Sequence, residues 1–209
     1  MPGRAAEPSN RLSSVATGGG PGHAHGRARS RRRPVDHVIE APRADDASEI
    51  ARVLLAAWLQ TYPDEQAGID EEWIRVHRGA ATSPEEVAQW REFIVRAGYQ
   101  PDELFCRVVR YQGEIVGFLC GRREADAVNL GPMYLLRKAQ GSGLGGRLMD
   151  VFLDWAGETP MRLWVTAYNE RAIRFYQRYG FEATGERLLW RGRLPNMRMA
   201  RVPLSDHVI

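Results

Sequence analysis

The stretch that decides the fold is Gln140-Gly141-Ser142-Gly143-Leu144-Gly145-Gly146, which lies between a strand-like run ending at Leu136 and an apolar-striped helix. A strand, a glycine turn and a helix start together form an arrangement that holds phosphate groups. The first backbone N–H groups of a helix have no partner inside it, and the helix dipole adds partial positive charge there. Glycine lets this backbone approach an anion closely and adopt positive φ angles. The stretch therefore predicts a site for a diphosphate-containing ligand.

Two other classes of glycine-rich phosphate loop fit this stretch less well. A P-loop has the pattern G-x-x-x-x-G-K-[ST], and no lysine follows these glycines, which excludes ATP or GTP hydrolysis by such a loop. A Rossmann loop follows the first strand of its domain, with an acidic residue about 20 residues later. Here three or more predicted strands precede the glycines, which are spaced Gly141-x-Gly143-x-Gly145. The glycines alone are compatible with a Rossmann loop, but their place in the chain is not.

The composition indicates one globular domain with appendages. Of the 209 residues, 44% are hydrophobic and 26% are charged, which is ordinary for a soluble protein. No apolar stretch approaches the roughly 20 residues of a membrane span. The N-terminus also lacks the apolar segment of about 7–15 residues that a secretory signal needs. We therefore expect a cytoplasmic protein with no membrane partner.

Residues 1–36 differ from the rest of the chain. They are rich in Gly, Pro, Ser, Ala and Arg, have few large apolar residues, and are predicted to form a disordered tail. Seven arginines against Glu7 give the first 34 residues a charge of +6, which leaves −3 for the remainder of a chain of net charge +3. The run 29–33 is predicted to be solvated, with contact to nucleic acid as the alternative, and no specific nucleic-acid partner is predicted. Nothing nearby completes a metal site at His23-Ala24-His25, so no metal is predicted.

Residues 37–209 are predicted to form one domain with the order β-α-α-α-β-β-β-α-β-α-β-β. Strands are predicted over 38–41, 104–110, 114–122, 127–136, 162–166, 182–190 and 196–203. Helices are predicted behind Asp46, over 71–78 and 84–97, behind the glycine turn, and from Asn169 to Gly180. Asp46 and Glu49 have the spacing of a capping box. Because hairpins and crossovers alternate, we expect an α/β (α+β) fold, a mixed sheet of about six to seven strands flanked by helices.

The two cysteines lie on the strands that flank the predicted turn Gln112-Gly113. If this turn pairs Tyr111 with Glu114, Cys106 pairs with Leu119. Cys120 then points to the opposite face, since side chains alternate along a strand. We therefore predict two separate, reduced core thiols.

A second motif follows the glycine turn downstream, after a further strand. It is Asn169-x-x-Ala172-x-x-Phe175-Tyr176-x-x-x-Gly180-Phe181. Together with Gln140-x-x-Gly143-x-Gly145, it resembles the two signatures of the GNAT superfamily of acetyl-CoA-dependent N-acetyltransferases. The resemblance covers about residues 38 to 204 and is sharpest from 130 to 181.

The resemblance implies a mechanism and a set of site residues. An amine attacks the thioester of acetyl-CoA directly, and coenzyme A leaves as a thiolate. The resemblance assigns the pantetheine arm to the backbone of Met133, Tyr134 and Leu135, on a strand that in this family is often bulged or splayed. It assigns the pyrophosphate to the backbone of residues 140–146. Tyr176 matches the general acid, with a core tyrosine as the alternative, and Asn169 matches a pantetheine contact, a helix cap, or both.

The general base and the acceptor stay open at this stage. The strand before the turn has no carboxylate, so the candidates are Glu124, Asp126 or a chain of water molecules. Four aromatic residues either line an acceptor pocket or belong to the core: Trp58, Tyr62, Trp73 and Trp190. Five acidic residues either attract a cationic amine or form a solvated face: Asp64, Glu65, Asp70, Glu71 and Glu72. The expected acceptor is a small-molecule amine or a peptide N-terminus. The assembly is left open between a monomer and a homodimer, and a non-catalytic acyl-CoA sensor is the alternative function.

Overall fold

The fold is a seven-stranded mixed sheet with helices on both faces, seen in a computed structural model that describes residues 37–202. The tail predicted for residues 1–36, and residues 203–209, lie outside the described residues. The strands are β1 (Val38–Glu40), β2 (Leu104–Tyr111), β3 (Glu114–Arg123), β4 (Val128–Leu135), β5 (Met161–Thr166), β6 (Glu182–Trp190) and β7 (Leu194–Arg201). The helices are α1 (Ala47–Thr61), α2 (Glu71–Arg78), α3 (Pro84–Tyr99), α4 (Leu144–Ala156) and α5 (Glu170–Arg178). The predicted element order and fold class are confirmed, although β7 begins two residues before the predicted 196.

The order of strands in the sheet is β1-β2-β3-β4-β5-β7-β6. Every neighbouring pair is antiparallel except β4 and β5, which are parallel. A parallel pair needs a crossover connection, and here the glycine turn and α4 supply it. The topology therefore places the turn at the end of the central strand β4.

Two hydrophobic cores cover the two faces of the sheet. On one face, the apolar stripe of α4 packs with Tyr176 of α5 and with Met133 and Leu135 of β4. On the other face, α1, α2 and α3 pack against Tyr134 of the same strand. Because side chains alternate along β4, consecutive residues enter different cores. No helix within residues 37–202 combines the length and apolar character needed to cross a membrane.

The predicted register of the cysteines is wrong. The turn does pair Tyr111 with Glu114, but the register shifts by one residue between Val109 and Arg110, and Cys106 then pairs with Cys120. The cause is an extra residue in β3, Val116, whose carbonyl accepts a hydrogen bond from Leu136 N–H at 2.8 Å. A one-residue shift exchanges the faces of all later side chains. Both cysteines are therefore buried side by side as thiols, not as a disulfide, with their Sγ atoms 3.2 Å apart.

The capping box predicted at the start of α1 is also wrong. Asp46 occupies the cap position, but its carboxylate accepts from Arg43 N–H and pairs with Arg110 of β2, at 2.7 and 2.5 Å. Glu49 accepts a hydrogen bond from Ile115 N–H of β3 at 2.8 Å. Both carboxylates thus tie α1 to the sheet, contacts that local spacing does not reveal.

Candidate active site

A split between β4 and β5 is the main feature of the candidate site. The two strands pair only at Val128 with Met161 and at Asn129 with Arg162. Beyond these pairs β4 continues to Leu135, paired with β3, while β5 continues to Thr166, paired with β7. The second half of β4 therefore has a backbone edge on the β5 side that no strand within residues 37–202 covers.

An irregularity in β4 accompanies the split. The register with β3 jumps from Leu119–Met133 to Gly121–Leu130, so that Gly131-Pro132 form a bulge opposite Cys120. A Cβ at Gly131 would lie 3.1 Å from the Cys120 carbonyl oxygen, tighter than most real contacts. Pro132 has no N–H to give to a neighbouring strand. The irregularity predicted from Gly131-Pro132 is confirmed.

The glycine turn lies at the open end of this split. Gly141 and Gly143 have φ angles of +76° and +78°, a conformation that favours glycine. The first helical hydrogen bond of α4 runs from Arg147 N–H to the Gly143 carbonyl, at 3.1 Å, and no side chain of the described residues caps the helix. A Cβ at Gly143 would meet no atom of the described part of the chain within 4 Å. The turn therefore presents uncapped N–H groups beside open space, as an anion site requires.

The side chains of the turn are occupied elsewhere. Ser142 Oγ donates to the Ala139 carbonyl at 2.8 Å, and Leu144 is buried in the core. Gln140 bridges two elements: its Nε2 donates to the Leu135 carbonyl at 2.8 Å, and its Oε1 accepts from Arg171 Nη1 at 3.3 Å. The predicted site residues 140–146 therefore offer a ligand backbone groups, while Gln140 fixes the turn to β4 and α5.

Asn169 begins α5 at the end of β5. Its Oδ1 accepts from Ala172 N–H at 3.1 Å, so its predicted role as helix cap is confirmed. Its Nδ2 is buried and has no hydrogen-bond partner among residues 37–202. A buried donor without an acceptor is unfavourable, and a ligand carbonyl in the split would satisfy it. The second predicted role, a pantetheine contact, stays a prediction.

Tyr176 is fully buried in the core cluster that contains Met133 and Leu135. Its ring packs edge-on against Phe175 and Phe181, with ring centroids 5.5 and 5.8 Å apart. The structure therefore gives it the packing of a core tyrosine, on the face of the sheet that carries Met133. Its role as general acid stays a prediction.

Tyr134 points away from this group, into the core formed by α1 to α3. Its hydroxyl lies 3.2 Å from the hydroxyl of Tyr62, and burial raises its pKa well above the usual value, with a further contribution from Tyr62. The phenol is therefore neutral at physiological pH. Only the backbone of Tyr134 is available to a ligand in the split.

The two candidate bases, Glu124 and Asp126, lie just before β4, at the end opposite the glycine turn. Both carboxylates pair with Arg162, the one of Asp126 at 3.2 Å, and the hydrogen bond that the guanidinium donates to Glu124 raises the pKa of Arg162. This pairing favours a structural role for both. Within residues 37–202 no three His, Cys, Asp or Glu side chains group together as a metal site would require.

The four aromatic residues considered for an acceptor pocket do come together. The ring of Trp58 lies 4.6 Å from that of Tyr62 and 5.0 Å from that of Trp190, which in turn lies 5.8 Å from Trp73. The guanidinium of Arg78 stacks 4.7 Å from the Trp58 ring. Trp58 and Tyr62 have no exposed surface. The rings pack against one another, which favours the interpretation as core residues over that as an acceptor pocket.

The five acidic residues of the same region have local roles where the structure shows a contact. Asp70 caps α2 by accepting from Trp73 N–H at 2.7 Å, and Asp64 accepts from Ala67 N–H at 2.7 Å. Glu71 pairs with Arg75 on the helix surface. These contacts explain three of the five acidic residues without an amine ligand, and the other two, Glu65 and Glu72, are exposed.

The sequence of this region matches that of known acetyltransferases. The model of the acetyltransferase (GNAT) family matches residues 51–181, more than half of the chain, including the split, the turn and α5. The chain therefore belongs to the GNAT family of acetyltransferases.

Curated relatives match over shorter stretches. The 5-NmdU N-acetyltransferase of Pseudomonas phage PaMx11 is 34% identical over 84 residues, or 39% of this chain and 59% of the relative. The mycothiol acetyltransferase of Mycolicibacterium vanbaalenii is 30% identical over 162 residues, or 71% of this chain and 47% of the relative. The chain thus spans about half the length of the curated relatives it matches.

Solved structures share the fold at low sequence identity. The PaiA N-acetyltransferase from Thermoplasma acidophilum, in complex with coenzyme A, superposes with a TM-score of 0.65 at 19% identity, covering 80% of this chain and 99% of that one. YncA from Salmonella typhimurium, with its cofactor acetyl-CoA, gives a TM-score of 0.59 at 19% identity, covering 83% and 96%. Each likeness covers about four fifths of this chain.

Proposed function

We propose that this chain is an N-acetyltransferase that moves the acetyl group of acetyl-CoA to a primary amine by direct attack. One observation carries the proposal: β4 separates from its parallel neighbour after Asn129, and an uncapped glycine turn lies at the open end of the gap. When bound, the coenzyme supplies an activated acetyl thioester. Residues of this chain must bind the coenzyme, give a proton to the leaving thiolate and stabilise the oxyanion.

Unsatisfied donors support the fit of coenzyme A to this site. Asn169 Nδ2, Arg171 Nε and Arg171 Nη2 are buried on the first turn of α5 without acceptors in the described part of the chain. Such donors are rare in folded proteins, because each costs about 1–3 kcal/mol. The amide carbonyls and phosphates of coenzyme A are acceptors. The uncovered edge of β4 at Met133–Leu135 provides backbone groups that can pair with the same arm.

Tyr176 has the role of general acid in this proposal. Its phenol would give a proton to the departing thiolate, a contribution that is typically about 100- to 10,000-fold in rate. Its place in the cluster with Met133 and Leu135 supports the role, since these residues belong to the uncovered half of β4. A backbone N–H of that half would stabilise the developing oxyanion.

The acceptor in this proposal is a small-molecule amine or a peptide N-terminus. Because the aromatic cluster around Trp58 and Trp190 is packed, the acceptor would enter the site beside this cluster rather than through it. A homodimer is compatible with the proposal. The alternative is an acyl-CoA sensor without turnover, and the feature that favours it is β4, which has no carboxylate to act as a base.

The test is release of the coenzyme A thiol in the presence of a panel of amines. The panel includes polyamines, amino sugars, amino acids and peptides with free N-termini. The proposal predicts that at least one amine accelerates thiol release, that Tyr176→Phe removes most of the acceleration, and that Tyr99→Phe does not. Tyr99 is a suitable control because 84% of its surface is exposed at the end of α3. Tight binding of acetyl-CoA with no amine accelerating release would establish the sensor instead.

A further inference from the structure

Arg171 has an unusual position beside the glycine turn. It lies in the first turn of α5, and its Nη1 donates to Gln140 Oε1 at 3.3 Å. Its Nε and Nη2 are buried and have no hydrogen-bond partner among residues 37–202. An arginine carries five N–H donors and stays charged in proteins. Most of the donors of this guanidinium are therefore unused.

No carboxylate in the described part of the chain compensates this charge. Burial lowers the pKa of the Arg171 guanidinium, and nothing acidic offsets that effect. Arg174, one turn further along the same helix, is exposed and pairs with Glu170 at 2.8 Å. Arg171 as a whole is half-buried, but a cation with buried nitrogens and no counter-ion is still unfavourable. The contrast between the two arginines indicates that the partner of Arg171 is a ligand.

The position of the guanidinium indicates which ligand group it meets. Its one hydrogen bond goes to Gln140, the first residue of the turn whose N–H groups are the predicted diphosphate site. Guanidinium groups bind phosphate through paired, charge-assisted hydrogen bonds. Nε and Nη2, the two free nitrogens, are adjacent on the guanidinium and match this geometry.

We propose that Arg171 is a second anion-binding group for coenzyme A, which holds the diphosphate from the α5 side while the turn holds it from the α4 side. The inference rests on the proposed function, since it takes coenzyme A as the ligand. Through Gln140 the same guanidinium is linked to the Leu135 carbonyl, the end of the uncovered half of β4. Arg171 thus connects the diphosphate to the strand that receives the pantetheine arm.

Calorimetric titration with coenzyme A and 3′-dephospho-coenzyme A tests the inference without turnover. Arg171→Met is expected to weaken the binding of both ligands by the same factor, about 10- to 100-fold. Arg171→Lys keeps the charge and is expected to lose less. Arg174→Met is the matched control and is expected to bind both ligands like the parent protein. Equal affinity of Arg171→Met and the parent protein would overturn the inference.

Two further measurements separate this role from others. If Arg171 bound the 3′-phosphate, the loss would disappear with 3′-dephospho-coenzyme A, which would overturn the assignment to the diphosphate. If Arg171 only held Gln140 in place, Gln140→Leu would reproduce the whole loss and would bind coenzyme A with the same salt dependence as Arg171→Met. We expect Gln140→Leu to lose less and to keep the steeper salt dependence of the parent protein, because its guanidinium remains.

The inference and the proposed function can fail separately. A parent protein that binds coenzyme A through Arg171 but acetylates no amine would refute the function and keep the inference. A parent protein that acetylates an amine, with Arg171→Met unchanged in affinity, would refute the inference and keep the function.

Discussion

Gly143→Val tests the glycine turn, and Gly157→Val is its matched control. Both glycines have positive φ angles, +78° and +62°, and at both a Cβ would meet nothing within 4 Å. They cap opposite ends of α4, which has 13 residues and is therefore about 20 Å long. Gly143 has a ψ angle of −3° and Gly157 one of −145°, a combination with positive φ that is almost restricted to glycine, so the control variant carries at least as much backbone strain. Only Gly143 lies at the predicted diphosphate site.

The structure allows the size of each effect to be worked out. A non-glycine residue with positive φ costs about 1–2 kcal/mol, which lowers the melting temperature of a domain of this size by about 2–8 °C. We expect this loss in Gly143→Val and at least as large a loss in Gly157→Val, whose backbone lies outside the left-handed helical region. Gly143→Val also displaces N–H groups that bind phosphate at about 1.5 kcal/mol or more each. Loss of two such bonds, about 3 kcal/mol, weakens coenzyme A binding about 100-fold.

The assay combines thermal unfolding with calorimetric titration of coenzyme A. The expected result is a loss of stability in both variants, at least as large in Gly157→Val, and a loss of affinity in Gly143→Val alone. If Gly143→Val bound coenzyme A within about threefold of Gly157→Val, the diphosphate would not lie on this turn and the reasoning would be refuted.

Three further predictions concern the remaining site and core residues. Tyr176→Phe should lower kcat about 100-fold or more while leaving coenzyme A affinity unchanged, measured by steady-state kinetics and titration; an unchanged kcat would remove it as the acid. Asn169→Ser keeps a good helix cap but removes the Nδ2 donor, so titration should show coenzyme A binding about three- to tenfold weaker at an unchanged melting temperature; unchanged affinity would leave only the capping role. The raised pKa of Tyr134 means that the folded state holds the phenol proton more tightly than the unfolded state does. The resulting contribution to the unfolding free energy is complete below about pH 10 and is lost as the pH rises further. Urea unfolding of Tyr134→Phe should therefore show a smaller decrease in unfolding free energy between pH 9 and 11 than the parent protein, and an equal decrease would contradict the assignment.

The sequence predicted what depends on local chemistry. The glycine turn, the cap at Asn169 and the irregularity at Gly131-Pro132 follow from backbone properties of individual residues, and the structure has all three. Apolar periodicity predicted the helices and strands for the same reason. The chain order of these elements, in which hairpins and crossovers alternate, indicates a mixed sheet without information on long-range contacts.

Long-range contacts account for what the sequence did not reveal. The single extra residue Val116 in β3 moved Cys120 to the same face as Cys106, because a bulge depends on what the neighbouring strand offers. Glu49 does not form the predicted capping box, because its carboxylate accepts a hydrogen bond from Ile115 N–H of the sheet. Arg171 is one polar residue within a motif, and only the fold shows its buried nitrogens beside Gln140. Its one sequence signal is its place two residues after the cap of α5.

A crystal structure of the complex with coenzyme A tests the central claim most directly. The account predicts the diphosphate within hydrogen-bonding distance of N–H groups in residues 141–146, and the pantetheine arm along Met133–Leu135 in the gap between β4 and β5. A diphosphate bound elsewhere, or a gap closed by strand-to-strand hydrogen bonds, would contradict it.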